Sequence, residues 1–205
     1  MNRYFFLGLA LCLIVGSGCR SLPGSGGAPL GVASDGGSLD GEFETGKALL
    51  ESGYNMEAIK HFAAIRDRAG HQEERDRAVI GLAMALQDSG NSGAALGALE
   101  PLPVLPKTEL EARKCVLAGE LHLHQKNYEP ARTWLARGLD VEPKSQAYYR
   151  APALFNLGKA MLALDDLEGA REAFAMAAGV FSSNEDEENA RQCRDIMDDI
   201  DKSLL

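Results

Sequence analysis

Aromatic residues, cysteines and basic residues are all scarce in this sequence of 205 residues. Aromatic residues make up 6% of the chain, there are four cysteines, and 21 Lys and Arg stand against 30 Asp and Glu. The formal net charge is −9, whereas nucleic-acid-binding proteins usually carry a positively charged surface, so no nucleic-acid partner is expected. No segment alternates apolar and polar residues with Val, Ile and Thr, which removes the signal for strands. A hydrophobic content of 45% with few rings suits one alanine-rich helical domain.

Motifs that carry chemistry are absent as well. His122 and His124 are two residues apart, so on a helix they point about 200° apart and cannot bind one metal ion. The sequence has no His-Glu-x-x-His, no Cys-x-x-Cys, no Gly-x-Ser-x-Gly and no phosphate-binding loop. Cys115 and Cys193 occupy core positions far apart in the chain, so we expect buried thiols rather than a disulfide. The sequence therefore predicts neither an enzyme nor a metal or cofactor site.

The first 18 residues have the pattern of an export signal. Arg3 supplies the positive start, and the apolar stretch from Tyr4 to Val15 is shorter than the roughly 20 residues that span a bilayer. A signal of this kind predicts export across the inner membrane.

The segment Val15-Gly16-Ser17-Gly18-Cys19 is a run of small residues that ends in a cysteine. It resembles the lipobox of bacterial lipoproteins, although Gly16 stands where Leu is usual, and this resemblance implies that Cys19 carries a lipid anchor. Cleavage by an ordinary signal peptidase at the same bond would instead leave a soluble periplasmic protein. Arg20, in place of the Asp that retains lipoproteins at the inner membrane, implies the outer membrane, facing the periplasm.

Residues 19–38 are rich in Gly, Ser and Pro and have no apolar periodicity. A chain of this composition behaves as a flexible coil, with a root-mean-square reach of about 25 Å. We expect this linker to separate a folded domain from the membrane.

The rest of the chain contains an internal repeat. A small residue is followed four places later by a large apolar one, and this pair recurs every 36 to 39 residues. Another small residue stands twelve places before each pair. The turn residues expected between them are Gly53, Gly90, Lys126-Asn127 and Asp165. The four sets are Gly46, Ala58 and Phe62; Ala83, Ala95 and Leu99; Gly119, Ala131 and Leu135; and Gly158, Ala170 and Phe174.

This spacing resembles the tetratricopeptide repeat (TPR), a helix-turn-helix unit with small residues where its helices touch and a closing proline. The resemblance implies an all-α, right-handed solenoid of about four units, at 39–72, 76–109, 112–145 and 151–184. Residues 185–205 are expected to form a capping helix, with Ser183 and Asp186 resembling a capping box. The alternative is an irregular helical bundle.

In TPR proteins the first helix of each unit lines a concave groove, chiefly through its second, fifth, ninth, twelfth and thirteenth positions. Carried onto this chain, the resemblance implies an apolar strip with a few charges that could hold a helix or an extended peptide. A chaperone-type carboxylate clamp is not expected, because Phe43 and Lys47 stand at the clamp's Lys and Asn positions. The implied groove residues are Phe43, Lys47, Leu50, Ile80, Met84, Gln87, Val116, Glu120, Leu123, Phe155, Lys159 and Leu162.

Together these patterns predict a lipid-anchored, periplasm-facing scaffold that binds a protein partner and carries out no chemistry. By analogy of architecture alone, it would assist an outer-membrane pore of a pilus or secretion system, or another cell-envelope complex. The alternative function is a cell-wall enzyme, or an activator of one, with a glycan in the groove. A third possibility is that the chain's own leader covers the groove.

Overall fold

The computed structural model describes residues 39–104, 108–141 and 147–204. Within these ranges the chain forms nine α-helices and no strand, as the sequence predicted. The helices are α1 (Leu39–Glu51), α2 (Asn55–Arg68), α3 (Gln72–Asp88), α4 (Ser92–Leu99), α5 (Glu109–His124), α6 (Tyr128–Val141), α7 (Ala147–Ala163), α8 (Leu167–Ser183) and α9 (Glu187–Ser203).

Each helix packs on the next one along the chain, and the first helices of successive pairs also touch: α1 on α3, α3 on α5, and α5 on α7. Contacts limited to neighbouring units are the defining feature of a solenoid, whose units bury their apolar faces against one another. The helices α3, α5 and α7 begin at Gln72, Glu109 and Ala147, three or four residues before the unit starts expected from the repeat.

The same tight turn ends α1, α3, α5, α7 and α8. A residue with positive φ follows each helix: Gly53 (74°), Gly90 (81°), Lys126 (60°), Asp165 (64°) and Glu185 (62°). In each case the next residue donates its amide hydrogen to the carbonyl five residues earlier, as Asn91 does to Leu86. This is the Schellman arrangement, which satisfies the last carbonyls of a helix. The predicted turn residues of the four units therefore lie at turns.

Glycines in the first helices allow large side chains of the second helices to approach the backbone. A Cβ atom built on Gly119 would lie 2.5 Å from Cγ of Leu135, and one on Gly158 would lie 2.9 Å from Cζ of Phe174. Phe62 is enclosed on two sides in the same way, because Cβ atoms on Gly46 and Gly81 would lie 2.6 and 2.5 Å from its ring. The small-to-large pairing predicted from the repeat is thus the packing contact within the first, third and fourth units.

Four apolar clusters follow one another along the stack and form its core. The first cluster joins α1, α2 and α3 around Phe62 and Ile65, and the last joins α7, α8 and α9 around Phe174. Two clusters between them connect the central units through Leu121 and Leu135.

The helix α9 closes the C-terminal end of the stack. Ala190, Cys193 and Ile200 are buried against α8, while the acidic side chains Glu187 and Asp198 are exposed. The expected capping box at Ser183 is wrong, because Ser183 is the last residue of α8. Asp186 itself caps α9, and its side chain accepts a hydrogen bond from the amide of Asn189.

A cluster of charged side chains lies in the core where α5 meets α6. Glu111 and Lys114 are each 1% exposed, and their charged atoms Oε2 and Nζ lie 2.7 Å apart. Arg137 of α6 also pairs with Glu111, and Nζ of Lys114 donates to the carbonyl oxygen of Pro103 at 2.7 Å. The cluster therefore ties α6 and the connector after α4 to α5.

Candidate functional site

A cleft of about 630 Å³ opens between the first helices of the second, third and fourth units and the start of α9. Its lining is mainly apolar and includes the buried Val116 and Leu117 and the half-buried Phe155, together with amide and carboxyl side chains. This volume falls in the usual range for ligand-binding clefts. The lining residues are Met84, Gln87, Arg113, Val116, Leu117, Glu120, Tyr149, Ala151, Pro152, Phe155, Asn156, Phe181, Asn184, Asp186 and Asn189.

Five of the residues implied by the TPR resemblance meet in this cleft. Met84 and Gln87 come from α3, Val116 and Glu120 from α5, and Phe155 from α7. Phe155 is half-buried and packs its ring edge-on against Phe174, with centroids 5.5 Å apart. The structure therefore brings together positions from three consecutive units.

The expectation of an exposed apolar residue at the fifth position of every unit is wrong for the first three units. Val116 of the third unit is only 8% exposed, although it still lines the cleft. The fifth positions of the second and first units are covered by a neighbouring unit. Ile80 is only 1% exposed, because it packs in one cluster with Leu117 of the following unit. Phe43 is 5% exposed, and the guanidinium of Arg77 lies 4.1 Å above its ring centroid. In both units the fifth position serves the contact between units rather than an open surface.

The remaining implied residues lie outside the cleft lining. Leu50 and Leu123 are half-buried and pack against the core clusters. Lys47 and Lys159 are exposed, and Lys47 lies 3.8 Å from Glu51. Leu162 is 38% exposed near the end of α7.

Several lining residues were missed by the sequence reasoning. Arg113 and Pro152 occupy the second position of the third and fourth units, a position that the TPR pattern assigns to the groove, so the sequence carried a signal for them. Asn184, Asp186 and Asn189 belong to the turn and first residues of α9. They line the cleft because a single helix follows the fourth unit, which the repeat pattern does not specify.

Glu120 is the carboxyl group at one end of the cleft. Burial raises its pKa above the ordinary value, although hydrogen bonds from Gln87 and Asn156 and the nearby charge of Lys159 favour the ionised form. Nδ2 of Asn156 donates to Oε1 of Glu120 at 3.1 Å. Desolvation therefore outweighs the groups that stabilise the negative charge.

Arg113 is the cation at the other end. Its guanidinium lies 5.1 Å from the ring centroid of Tyr149, and Nη2 donates to Oε1 of Glu109 at 3.0 Å. Its Nε atom is buried and has no hydrogen-bond partner among the residues that the structure describes. Of the five N–H donors of this guanidinium, the one on Nε is therefore unsatisfied by the described part of the chain.

Both cysteines of the folded region are free and buried thiols, which confirms the expectation for Cys115 and Cys193. Burial raises the pKa of the Cys115 thiol to about 12, and burial also raises that of Cys193. Both are therefore thiols at neutral pH and poor nucleophiles.

The described ranges contain no group of three or more His, Cys, Asp or Glu residues that could hold a metal ion. Among the helices of residues 39–104, 108–141 and 147–204, none combines the length and apolar character needed to cross a membrane. Cys19, the expected lipidation site, lies outside the described residues.

Comparison with solved structures identifies the fold. The chain is similar to a Podosopora anserina protein described as a kinesin light chain with nearly identical TPR-like repeats (TM-score 0.57, 15% identity, covering 81% of this chain and 95% of that one). It is also similar to MamA (TM-score 0.56, 16% identity, 81% and 87%) and to MamA from residue 41 to the end from Desulfovibrio magneticus RS-1 (TM-score 0.51, 16% identity, 82% and 97%). No protein-family model matches the sequence, and comparison with curated proteins gives no match. The protein thus has the all-α, TPR-like solenoid fold that its repeat predicted.

Proposed function

We propose that this protein is a binding scaffold, rather than an enzyme, and that it holds a segment of a partner protein in the cleft. The observation that carries the proposal is the cleft itself, whose mainly apolar lining with amide and carboxyl side chains is assembled from three consecutive units and α9. TPR-like solenoids supply such surfaces for peptide segments, with pockets for side chains and hydrogen-bonding groups at the edge.

The glycan-binding alternative gains no support from the cleft. Glycosidic chemistry generally needs two carboxyl groups placed for acid and base roles. Glu120 and Asp186 are the carboxyl groups in the lining. However, both carboxylate oxygens of Asp186 accept hydrogen bonds from Asn189, one from its backbone N–H and one from its side-chain Nδ2. Asp186 is therefore engaged in capping α9.

Site-specific photocrosslinking in cells tests the proposal. A photoreactive amino acid at Asn189, in the cleft lining, should form an adduct with one defined protein, identified by mass spectrometry. The matched control is Met176, which is 43% exposed on α8 and absent from the lining. Adducts at both positions with the same broad set of proteins, or at neither, would contradict the scaffold proposal.

We also propose that Cys19 anchors the protein by a lipid to the outer membrane, where the domain faces the periplasm. The run of small residues that ends in Cys19, after a short apolar segment, supports this assignment, and acyl chains contribute about 0.8 kcal/mol for each buried CH₂. On this basis the partner belongs to an outer-membrane or other cell-envelope assembly, of which a pilus or secretion pore is one type.

Cys19→Ser should move the protein from the membrane fraction to the soluble periplasmic fraction and abolish labelling by a palmitate analogue. Cys12→Ser, inside the export signal, is the control and should leave both readouts unchanged. If Cys19→Ser sediments with membranes as the unaltered protein does, the anchor lies elsewhere. If the unaltered protein is already soluble, the periplasmic alternative holds.

A further inference from the structure

The two charged residues of the cleft on α5 lie at opposite ends. Arg113 and Glu120 are seven residues apart on one helix, which places them on the same face about 10.5 Å apart along the axis. Each meets a residue of α7 one repeat later: Arg113 lies above the ring of Tyr149, and Glu120 accepts a hydrogen bond from Asn156. The cleft therefore has one cationic end and one anionic end.

One donor at the cationic end has no partner among the residues that the structure describes. Arg113 gives one N–H to Glu109, and its buried Nε has no partner among the described residues. Tyr149 covers one face of the guanidinium, and the N–H donors lie in the plane of the group because a guanidinium is planar. A carboxylate binds a guanidinium in this plane through two parallel hydrogen bonds.

The neighbours of Glu120 compensate its negative charge only in part. The groups that face Glu120 are Gln87 from α3 and Asn156 and Lys159 from α7. Two amides and one lysine do not offset the burial of the carboxyl group, since its pKa remains raised. The lysine is exposed, and its Nζ lies 5.6 Å from the ring centroid of Phe155. A cation delivered by a ligand would supply the missing charge compensation.

The distance between the two charged ends indicates the conformation of the ligand. Between the two charged ends the lining is mainly apolar, and the cleft has a volume of about 630 Å³. An extended chain advances about 3.3 Å per residue, so side chains three residues apart span about 10 Å. This distance matches the separation of the two charged ends.

We propose that the occupant is an extended protein segment with one acidic and one basic side chain three residues apart and apolar residues between them. The acidic side chain binds Arg113, the basic one binds Glu120, and the apolar residues pack on Val116 and Phe155. This inference rests on the proposed function and specifies the chemistry of the partner at the same site.

Fluorescence anisotropy with labelled hexapeptides and the purified full-length protein tests the inference. The probes are Gly-Glu-Leu-Val-Lys-Gly, the reversed-charge Gly-Lys-Leu-Val-Glu-Gly, and the neutral Gly-Gln-Leu-Val-Gln-Gly. One charged peptide should bind at least about tenfold more tightly than the neutral one, because each charged contact contributes more than a neutral hydrogen bond. Equal binding of all three peptides, or binding of none, would overturn the inference.

Charge exchange in the protein provides the decisive comparison. The double variant Arg113→Glu, Glu120→Lys should lose the preferred peptide and bind the peptide of opposite order. Should this variant fail to fold by circular dichroism, Arg113→Gln and Glu120→Gln should each weaken the preferred peptide about tenfold. The matched controls are Arg132→Gln on α6 and Glu172→Gln on α8, both outside the cleft lining, and they should leave affinity unchanged.

Photocrosslinking at Asn189 separates the two possible failures. If the scaffold proposal is wrong, the unaltered protein gives no specific adduct. If only the charge pattern is wrong, the unaltered protein gives its adduct and the charge-exchanged variant gives the same one at the same yield.

Discussion

At the scale of single residues, the fold depends on the absence of side chains at a few helical positions. Gly119 of α5 faces Leu135, a fully buried side chain, and the carbonyl oxygen of Ala131 lies 3.3 Å from a Cβ atom built on this glycine. Gly179 also lies inside a helix, α8, but a Cβ atom built on it would have nothing within 4 Å. Alanine substitutions at these two glycines therefore distinguish the effect of a steric clash from the effect of helix propensity.

We expect Gly119→Ala to destabilise the protein by about 1–3 kcal/mol, the usual penalty for overpacking a core. The added methyl group would lie 2.5 Å from Cγ of Leu135, a branch point that cannot rotate away as a chain end can. Gly179→Ala should stabilise by about 0.5–1 kcal/mol, because alanine favours the helix. Urea denaturation measures both changes, and a stabilising Gly119→Ala would show that the contact relaxes freely.

Glu120 predicts a pH dependence of stability. Because burial raises its pKa in the folded state, the folded protein binds this proton more tightly than the unfolded chain does. The resulting stabilisation is fully present below the ordinary value of 4.5 and is lost as the pH rises through the raised pKa. At neutral pH the ionised carboxylate therefore opposes folding.

Glu120→Gln should raise the melting temperature at pH 7, since glutamine keeps an acceptor for Asn156 and carries no charge. The gain should shrink as the pH falls and vanish below about pH 4, where both side chains are neutral. Thermal unfolding from pH 4 to 8 measures the difference, with Glu172→Gln, exposed on α8, as control. A difference that is constant with pH would refute the role of ionisation.

At the scale of elements, the sequence predicted what depends on local spacing. The turns at Gly53, Gly90 and Asp165 and the helices on either side follow from small residues and turn residues at fixed intervals. The contact of Gly158 with Phe174 follows from the same repeat. These features depend on residues within one unit, and the recurrence of the same spacing in four units made them predictable.

The repeat spacing did not predict the contacts between units. Ile80 has the spacing of a groove residue, yet the following unit buries it, because Leu117 and Ala118 pack against it. The pairing of Glu111 with Arg137 lies within the third unit, but the spacing did not include it, because Glu111 precedes the expected start of that unit by one residue. Spacing identifies the face of a helix, but the neighbouring unit determines whether that face is covered.

The buried charges of α5 yield a prediction for this element. Lys114→Met would remove the buried ammonium that pairs with Glu111 and leave the Pro103 carbonyl without this donor, so we expect a loss of about 3–5 kcal/mol. The double variant Glu111→Gln, Lys114→Met should recover much of that loss, because no unpaired charge remains in the core. Urea denaturation measures both free energies of unfolding.

Lys202→Met is the control for this prediction, since Lys202 pairs with Asp199 at an exposed site where both side chains are more than 70% accessible. Such pairs contribute little, and the change should stay within about 0.5 kcal/mol. A Lys114→Met variant as stable as this control would mean that water reaches the cluster.

At the scale of the whole domain, the order of the apolar clusters suggests how the fold responds to damage. The cluster around Ile65 joins α1, α2 and α3, and the cluster around Ile200 joins α7, α8 and α9. The two clusters share no residue, and only the central units connect them. In a solenoid stabilised by nearest-neighbour contacts, a lesion at one end should therefore remain largely at that end.

Ile200→Ala should cost about 2–5 kcal/mol locally, because Ile200 is 3% exposed and its truncation leaves a cavity beneath α9. Hydrogen exchange followed by mass spectrometry should show faster exchange in peptides from α7, α8 and α9 and unchanged exchange in α1 and α2. Ile65→Ala, at a fully buried site of α2, is the mirror-image variant and should give the opposite distribution. If either variant accelerates exchange equally along the chain, the domain unfolds as one cooperative unit and the nearest-neighbour description fails. If the distributions differ as expected, α9 can open without loss of the first two units, and the cleft lining that α9 provides is the part of the site with the least stable support.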